Sequence, residues 1–138
     1  MTDAPRHPTQ LRHPDIARLV ETFYGRARAD ALLGPVFDAV VADWPHHFAA
    51  LTGFWAAQLR GRGSYHGQPI AVHRAQAHRI TPAMFDRWLM LWDHTTAQVM
   101  SPPDAEALQA RARRIAAVLR GAMADTPAWS ACPMGGGT

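Results

Sequence analysis

The sequence contains almost no cysteine and no stretch with the pattern of a β-strand. Its single cysteine, Cys132, cannot form an intrachain disulfide, which fits a reducing compartment. Cys132 lies between Trp129 and a run of three glycines, in a segment with the composition of a loose tail. These features argue against a domain stapled by disulfides and against a catalytic thiolate.

Lysine is absent, and so are long apolar runs. All fourteen basic residues are arginines, and the formal charge is +3. The closest group, Arg111, Arg113 and Arg114, shares its segment with acidic residues, which indicates a solvated face rather than a nucleic-acid surface. Residues 1–13 lack the apolar run of a signal peptide, and the most apolar stretch, 48–57, is too short to span a bilayer. We therefore expect a soluble cytoplasmic protein with no nucleic-acid partner and no membrane partner.

Apolar and aromatic side chains are plentiful enough for a packed core. Hydrophobic residues make up 48% of the 138, with five Trp, five Phe and two Tyr, which excludes a disordered chain. This length fits one domain that needs no staples. We expect a disordered segment over residues 1–13, a helical domain over 14–124 and a flexible tail over 125–138.

Apolar residues recur at helical spacing through most of the chain. Pro14, Asp43 and Thr81-Pro82 are typical of helix starts, because they supply an N-cap or a first-turn proline. Gly34-Pro35 and Ser101-Pro102-Pro103 are typical of breaks. The pattern predicts about four long helices and two short ones, in an all-α antiparallel domain. The predicted segments are 14–30, 36–41, 44–60, a short helix that opens at Pro69, 82–100 and 104–124.

A histidine follows a glycine-rich loop in the middle of the sequence. After the loop, residues 61–67, Pro69 can open a helix because its missing N–H would be unpaired there. Ile70, His73 and Ala77 fall at helical spacing, which puts the imidazole on an apolar stripe. Such an imidazole is either a metal ligand or a core histidine that bonds to the backbone. Spacing alone leaves both interpretations open.

Four further residues suit a flat cofactor bound between helices. Such a cofactor needs one axial ligand on one side, and polar groups with apolar packing on the other. Tyr24 and Trp88 carry a donor on otherwise apolar faces, and Phe37 could pack against a ring. Taken one at a time, residues of these types at helical spacing are more often part of the core than of a site. His47 lies on the inner face of its helix or at the surface, since His46 adjoins it and only one of them can face inward.

Short motifs run through residues 14–123 in a fixed order. They are Phe23-Tyr24, Gly34-Pro35-Val36-Phe37, Trp44 with His47, Gly53-Phe54-Trp55, Tyr65 with Gly67-Gln68-Pro69 and His73, and Phe85-Asp86-Arg87-Trp88-Leu89. In this order they resemble the truncated haemoglobins, most closely group III. A Gly-Gln-Pro run four residues before a histidine, with Phe-Trp upstream and Phe-x-x-Trp-Leu downstream, is a combination that is hard to obtain by chance.

The resemblance implies a globin-like, two-over-two helical sandwich around haem b, iron protoporphyrin IX. Matched residue by residue, it makes His73 the proximal iron ligand. It makes Tyr24 the tyrosine that hydrogen-bonds an iron-bound ligand, and Trp88 the tryptophan whose N–H points into the distal pocket. His47 becomes the distal histidine and Phe37 the residue that packs on the porphyrin.

Further haem contacts follow from the same resemblance. Leu51 corresponds to a pocket position on the helix of His47. Family members often carry Leu-Pro shortly after the proximal histidine, but residues 74–79 of this chain read Arg-Ala-Gln-Ala-His-Arg. Tyr65, His78 and Arg79 are therefore the candidates to meet the haem propionates.

The implied function is binding of O2, or of CO and NO, at a five-coordinate iron with a polar distal pocket. The alternative is a haem redox enzyme, either an NO dioxygenase or a peroxidase-like catalyst. Since no flavin or nicotinamide motif is visible, its electrons would come from a separate reductase. A third interpretation is a haem-free helical module whose histidines are structural.

Overall fold

The computed structural model describes residues 11–59 and 68–124, which form six helices and contain no strand. The helices are α1 (His13–Ala29), α2 (Gly34–Val40), α3 (Trp44–Leu59), α4 (Gln68–Ala75), α5 (Pro82–Val99) and α6 (Pro102–Ala124). The predicted all-α fold is confirmed. None of these helices is both long and apolar enough to cross a membrane. The predictions for residues 1–10, for Tyr65 and for the tail from residue 125 lie outside the described residues.

The helix starts follow the local signals in the sequence. The Asp43 carboxylate accepts the backbone N–H of His46 at 3.1 Å, as an N-cap does. Thr81 is extended, with φ −110° and ψ 162°, and Pro82 then opens α5. Helix α6 begins two residues earlier than predicted, at Pro102, because prolines fit a first turn that needs no N–H donors.

Leu11 lies just before α1 and is buried. It is 7% exposed and belongs to the core together with Ile16 of α1. The two residues occupy the positions of a hydrophobic staple around the helix start. The Asp15 carboxylate also accepts the backbone N–H of Arg12 at 3.1 Å, which fixes the entry of the chain. The packed structure therefore includes Leu11, ahead of the predicted domain boundary at residue 14.

Helix α1 is the element against which most others pack. It contacts α2, α3 and α5, while α5 and α4 both contact α6. The pairs α1/α3 and α5/α6 thus form two layers that are joined through α1 and α5. The apolar stripe predicted for α1 is buried: Ile16, Leu19, Val20, Phe23 and Ala27.

Three large aromatic residues form the centre of the core. Phe23, Trp55 and Trp92 are at most 1% exposed. Trp92 stacks on Trp55 with ring centroids 4.5 Å apart, and its indole N–H donates to the Leu108 carbonyl at 3.1 Å. Burying an aromatic side chain of this size contributes roughly 4–6 kcal/mol of transfer free energy as an upper limit. This cluster holds α1, α3, α5 and α6 together beside the candidate site.

Candidate functional site

Tyr24 lies in an aromatic group contributed by three helices. The residue is 5% exposed on α1. Its ring centroid lies 5.5 Å from Phe37 of α2 and 6.1 Å from His47 of α3, and both contacts are edge-on. Trp44, one turn before His47, lies 6.4 Å from Tyr24 and 5.4 Å from His47. The structure therefore brings together three residues that the sequence placed on separate helices, and Trp44 joins them.

Burial keeps the Tyr24 hydroxyl protonated. It raises the pKa of Tyr24 to about 12, and a hydrogen bond with the Trp88 side chain opposes this shift more weakly. Because an indole nitrogen can only donate, the Trp88 N–H donates to the Tyr24 oxygen. The hydroxyl keeps its own hydrogen for a further acceptor. It is thus an oriented donor beside Phe37 and His47.

We expect Tyr24 to ionise near pH 12 in the folded protein, well above the ordinary pKa of 10.0. With two tyrosines and no lysine in the chain, few groups titrate in this range. In a Tyr65→Phe variant labelled with 13C at tyrosine Cζ, the single NMR signal reports Tyr24 alone. The same signal should titrate near the ordinary value in denaturant. Titration at the ordinary value in the folded protein would contradict the burial of this hydroxyl.

The raised pKa also predicts an alkaline loss of stability. Below pH 10.0 the phenol is protonated in both states, so this contribution is fully present. As pH rises towards 12, the unfolded chain loses its proton first, and the free energy of unfolding falls by up to about 3 kcal/mol. Urea unfolding on both sides of this window measures the loss, and Tyr24→Phe should remove this component of it.

His47 faces the aromatic group, whereas His46 is exposed. The sequence required that only one of this pair face inward, and that prediction is confirmed. Partial burial, and then the neighbouring charge of His46, lower the pKa of His47 below its ordinary 6.5. The imidazole of His47 is therefore neutral at neutral pH, with one N–H donor and one acceptor nitrogen.

His73 lies on α4, half-buried and next to α5. Its ring centroid is 6.4 Å from that of Phe85, with the planes inclined by 30°. The guanidinium of Arg120 from α6 lies 5.4 Å from the centroid of the Phe85 ring. Arg120 also forms an ion pair with Asp86 and donates to the Pro82 carbonyl at 3.4 Å. Helix α6 thereby supports the part of α5 that His73 contacts.

One face of α5 connects His73 to Tyr24. Phe85 contacts His73, and Trp88 contacts the Tyr24 hydroxyl. These two residues are three positions apart, so their side chains are neighbours on the helix surface. Trp88 is half-buried and stacks on Trp92 at 5.6 Å, with the rings within 4° of parallel. The two groups therefore meet the same face of α5 about one turn apart.

Helices α2, α3 and α5 carry large apolar side chains that are only partly buried. They pack on the core while part of each surface stays uncovered: Phe37, Trp44, Phe48, Leu51, Phe54, Met84, Trp88 and Leu89. Removing such apolar surface from water by covering it with a ligand is favourable. A mostly apolar lining with a few oriented polar groups and one imidazole suits a large, flat, apolar ligand. The residues present therefore fit a haem.

The structure also describes two further residues that the sequence proposed for the cofactor. Leu51 packs against the core one turn after His47, and Arg79 is exposed in the turn after α4. Sequence reasoning did not count Trp44 as a site residue, although its position one turn before His47 was a usable signal. It also missed the ion pair between Asp30 and Arg87, for which the sequence carried no signal.

Comparison with known proteins identifies relatives of this chain, although no family model matches it. The group 3 truncated haemoglobin ctb of Campylobacter jejuni is 32% identical over 110 residues, which cover 77% of this chain and 86% of the relative. The crystal structure of the group III truncated haemoglobin from Campylobacter jejuni matches with a TM-score of 0.68 and 30% identity. This match covers 83% of this chain and 92% of that one.

The helical layers and the partly uncovered apolar side chains, together with these matches, define a haem globin of the truncated class. The resemblance found from the motifs is confirmed at the level of both fold and sequence. Within that class, this chain belongs to the group III truncated haemoglobins.

Proposed function

We propose that this protein binds O2, and other diatomic ligands such as CO and NO, at a haem b held by His73. Tyr24, Trp88 and His47 form the opposite, distal side of the pocket. The observation that carries the proposal is the buried, protonated Tyr24 hydroxyl, which forms a hydrogen bond with Trp88 of α5. Trp88 lies about one turn of α5 from Phe85, the residue that contacts His73.

Each residue of the pocket has a separate task. Haem bound through one neutral imidazole supplies an open coordination position for a diatomic ligand. His73 provides that imidazole from α4, while Phe37 and Leu51 provide apolar surface against the ring. Arg79, with Tyr65, is the candidate partner for the propionates, because a guanidinium and a hydroxyl both donate to carboxylates.

Tyr24 is the principal donor to the ligand. A bound ferrous haem would shift electron density onto O2, and the Tyr24 hydroxyl would then donate a charge-assisted hydrogen bond to the ligand. In a pocket shielded from water such a bond contributes about 1.5–3 kcal/mol. O2 would then be released slowly, which suits retention or activation of the ligand better than transport.

His47 adds a weaker, more exposed donor. Its imidazole is neutral at neutral pH because partial burial lowers its pKa. It lies 6.1 Å from the Tyr24 ring and is only half-buried, so it borders the part of the pocket that is nearest to solvent. One N–H from His47 can therefore assist Tyr24 without adding a charge.

A second candidate is a haem redox enzyme that oxidises NO or reduces peroxide with electrons from a separate reductase. The bond from Trp88 to Tyr24 favours it, because a donor that itself accepts a hydrogen bond is strengthened and can help polarise an O–O bond. Autoxidation and turnover with NO or peroxide separate the two functions. A stable O2 complex without turnover supports simple binding, and turnover with a supplied reductant supports the enzyme.

The composition supports two further predictions, one about the compartment and one about partners. The single cysteine favours a reducing compartment such as the cytoplasm. The scattered arginines favour a protein without a nucleic-acid partner.

Absorption spectra of the purified protein test the proposal directly. We expect a Soret band in the ferric form that shifts on reduction with dithionite and shifts again with CO. The reduced spectrum before CO shows whether His47 occupies the sixth position. If no Soret band forms even after hemin is added, the haem-free helical module replaces the proposal.

A further inference from the structure

A buried carboxylate joins the helices that carry the distal residues. Asp30, directly after α1, accepts a hydrogen bond on Oδ1 from Nε of Arg87 in α5 at 2.7 Å, and Nη2 of the same guanidinium forms an ion pair with Oδ1 at 2.6 Å. The Asp30 side chain is 4% exposed, while that of Arg87 is 41% exposed. The pair is thus buried at its acidic end and reaches solvent only through the arginine.

The other oxygen of the same carboxylate closes the turn between α1 and α2. Asp30 Oδ2 accepts the backbone N–H groups of Leu32 and Leu33, both at 3.0 Å. Burial alone would raise the pKa of Asp30, but the bonds from Arg87 and the turn outweigh it and keep the pKa below its ordinary value. Asp30 therefore stays ionised at neutral pH and keeps its ion pair with Arg87 and its two bonds to the turn.

The next helix begins in close contact with the same turn. A Cβ on Gly34 would lie 2.5 Å from the Arg28 carbonyl oxygen, so α2 approaches the end of α1 as closely as a glycine allows. Asp30 therefore links the end of α1, the turn into α2 and the Arg87 position of α5 through a single side chain.

Those three helices supply the distal pocket. Tyr24 lies six residues before Asp30 on α1, Phe37 lies on α2 four residues after Leu33, and Trp88 directly follows Arg87 on α5. A second link between α1 and α5, from Arg26 to the Thr95 hydroxyl at 3.1 Å, lies about two turns further along α5. It cannot by itself set the spacing at Trp88.

We propose that Asp30 and Arg87 are positioning residues, whose ion pair sets the spacing of α1 and α5 at the Tyr24–Trp88 hydrogen bond. The pair thereby sets the direction in which the Tyr24 hydroxyl donates to a ligand. This inference rests on the proposed function of the distal pocket. Small displacements of oriented donors have large effects, so loss of the pair changes ligand binding without removing a ligand contact.

Infrared spectra of the CO form and O2 dissociation rates test this role. In Arg87→Gln, we expect the C–O stretching band to shift or split towards that of Tyr24→Phe, and O2 to leave about three- to tenfold faster. Arg87→Lys, which keeps the charge but not the two-pronged bond, should recover part of the wild-type band. Combining Arg87→Gln with Asp30→Asn should shift the band no further than one change alone, because both act through the same pair.

The matched control is Arg113→Gln. Arg113 of α6 also forms an ion pair with an aspartate of α5, with Nη2 2.8 Å from Asp93 Oδ2, but this pair is more exposed. Arg113→Gln should leave the C–O band and the O2 rate unchanged. A wild-type band in both Arg87→Gln and Asp30→Asn, even with lowered thermal stability, would overturn the inference and leave the pair a purely structural role. Should Arg87→Gln fail to fold, an unchanged band in Asp30→Asn would overturn it equally.

Failure of the proposed function gives a different result. If the wild-type protein forms no CO complex, or if its C–O band does not respond to Tyr24→Phe, the distal assignment itself is wrong. A band that responds to Tyr24→Phe but not to the Asp30 and Arg87 variants removes only the positioning role.

Discussion

Replacing His73 by alanine is expected to abolish stable haem retention. His73 contacts α5 at Phe85 and is the axial ligand in the proposed function, so its removal would leave the haem without that ligand. Removing a hydrogen-bond partner of a metal ligand typically lowers metal affinity by roughly 10–100-fold. The loss of hemin affinity should be larger here, since the proposed ligand itself is removed. Hemin titration and the Soret absorbance of the purified variant measure it.

Two controls separate ligation from folding. His46→Ala removes an exposed histidine beside the pocket and should retain full haem occupancy. In His73→Gly, added imidazole should restore the Soret band, because the free base can fill the space that the side chain leaves. Full haem occupancy in His73→Ala without imidazole would sink the assignment of His73 as the proximal ligand.

The second large effect is expected from Tyr24→Phe, which should speed O2 dissociation about 10–100-fold. This follows from losing one charge-assisted hydrogen bond of roughly 1.5–3 kcal/mol. The change keeps the ring that packs against Phe37 and His47 and removes only the hydroxyl oxygen. Stopped-flow displacement of O2 measures the rate. CO is an internal control, since it takes on little negative charge and its dissociation rate should change much less.

The hydrogen bond between Trp88 and Tyr24 makes their effects interdependent. In Tyr24→Phe the Trp88 N–H loses its acceptor and becomes available to the ligand, so the single change understates the role of the pair. Trp88→Phe should accelerate O2 release less than Tyr24→Phe, and the double variant should exceed both. An unchanged rate in Tyr24→Phe would transfer the donor role to Trp88, and unchanged rates in all three would exclude both side chains as donors.

Much of the fold could be predicted from local features of the sequence. Asp43 and Thr81-Pro82 open α3 and α5 as predicted, because caps and first-turn prolines act within a single turn. The apolar stripe of α1 was predicted correctly, since a 3.6-residue period marks the buried side of a helix. Burial of Leu11, ahead of the expected boundary at residue 14, was not predicted, because it depends on the core residues against which Leu11 packs.

The candidate site was only partly readable in this way. The motif order named Tyr24, His47, His73 and Trp88, but periodicity left each of them interpretable as a core or surface residue. The choice of His47 over His46 needed the direction from which α1 approaches α3. The wide apolar face of α3 likewise did not reveal which of its residues would be covered by protein.

By itself the sequence determined the helical class, the helix starts to within two residues and the family, because caps, periodicity and motif order are properties of neighbouring residues. Only the tertiary structure decided that Trp88 donates to Tyr24 and that Arg87 binds Asp30, 57 residues away along the chain. The physical reason is that a helical pattern states which side of a helix is apolar. It contains no information on which helix covers that side, at what distance, or which polar groups then come within hydrogen-bonding reach.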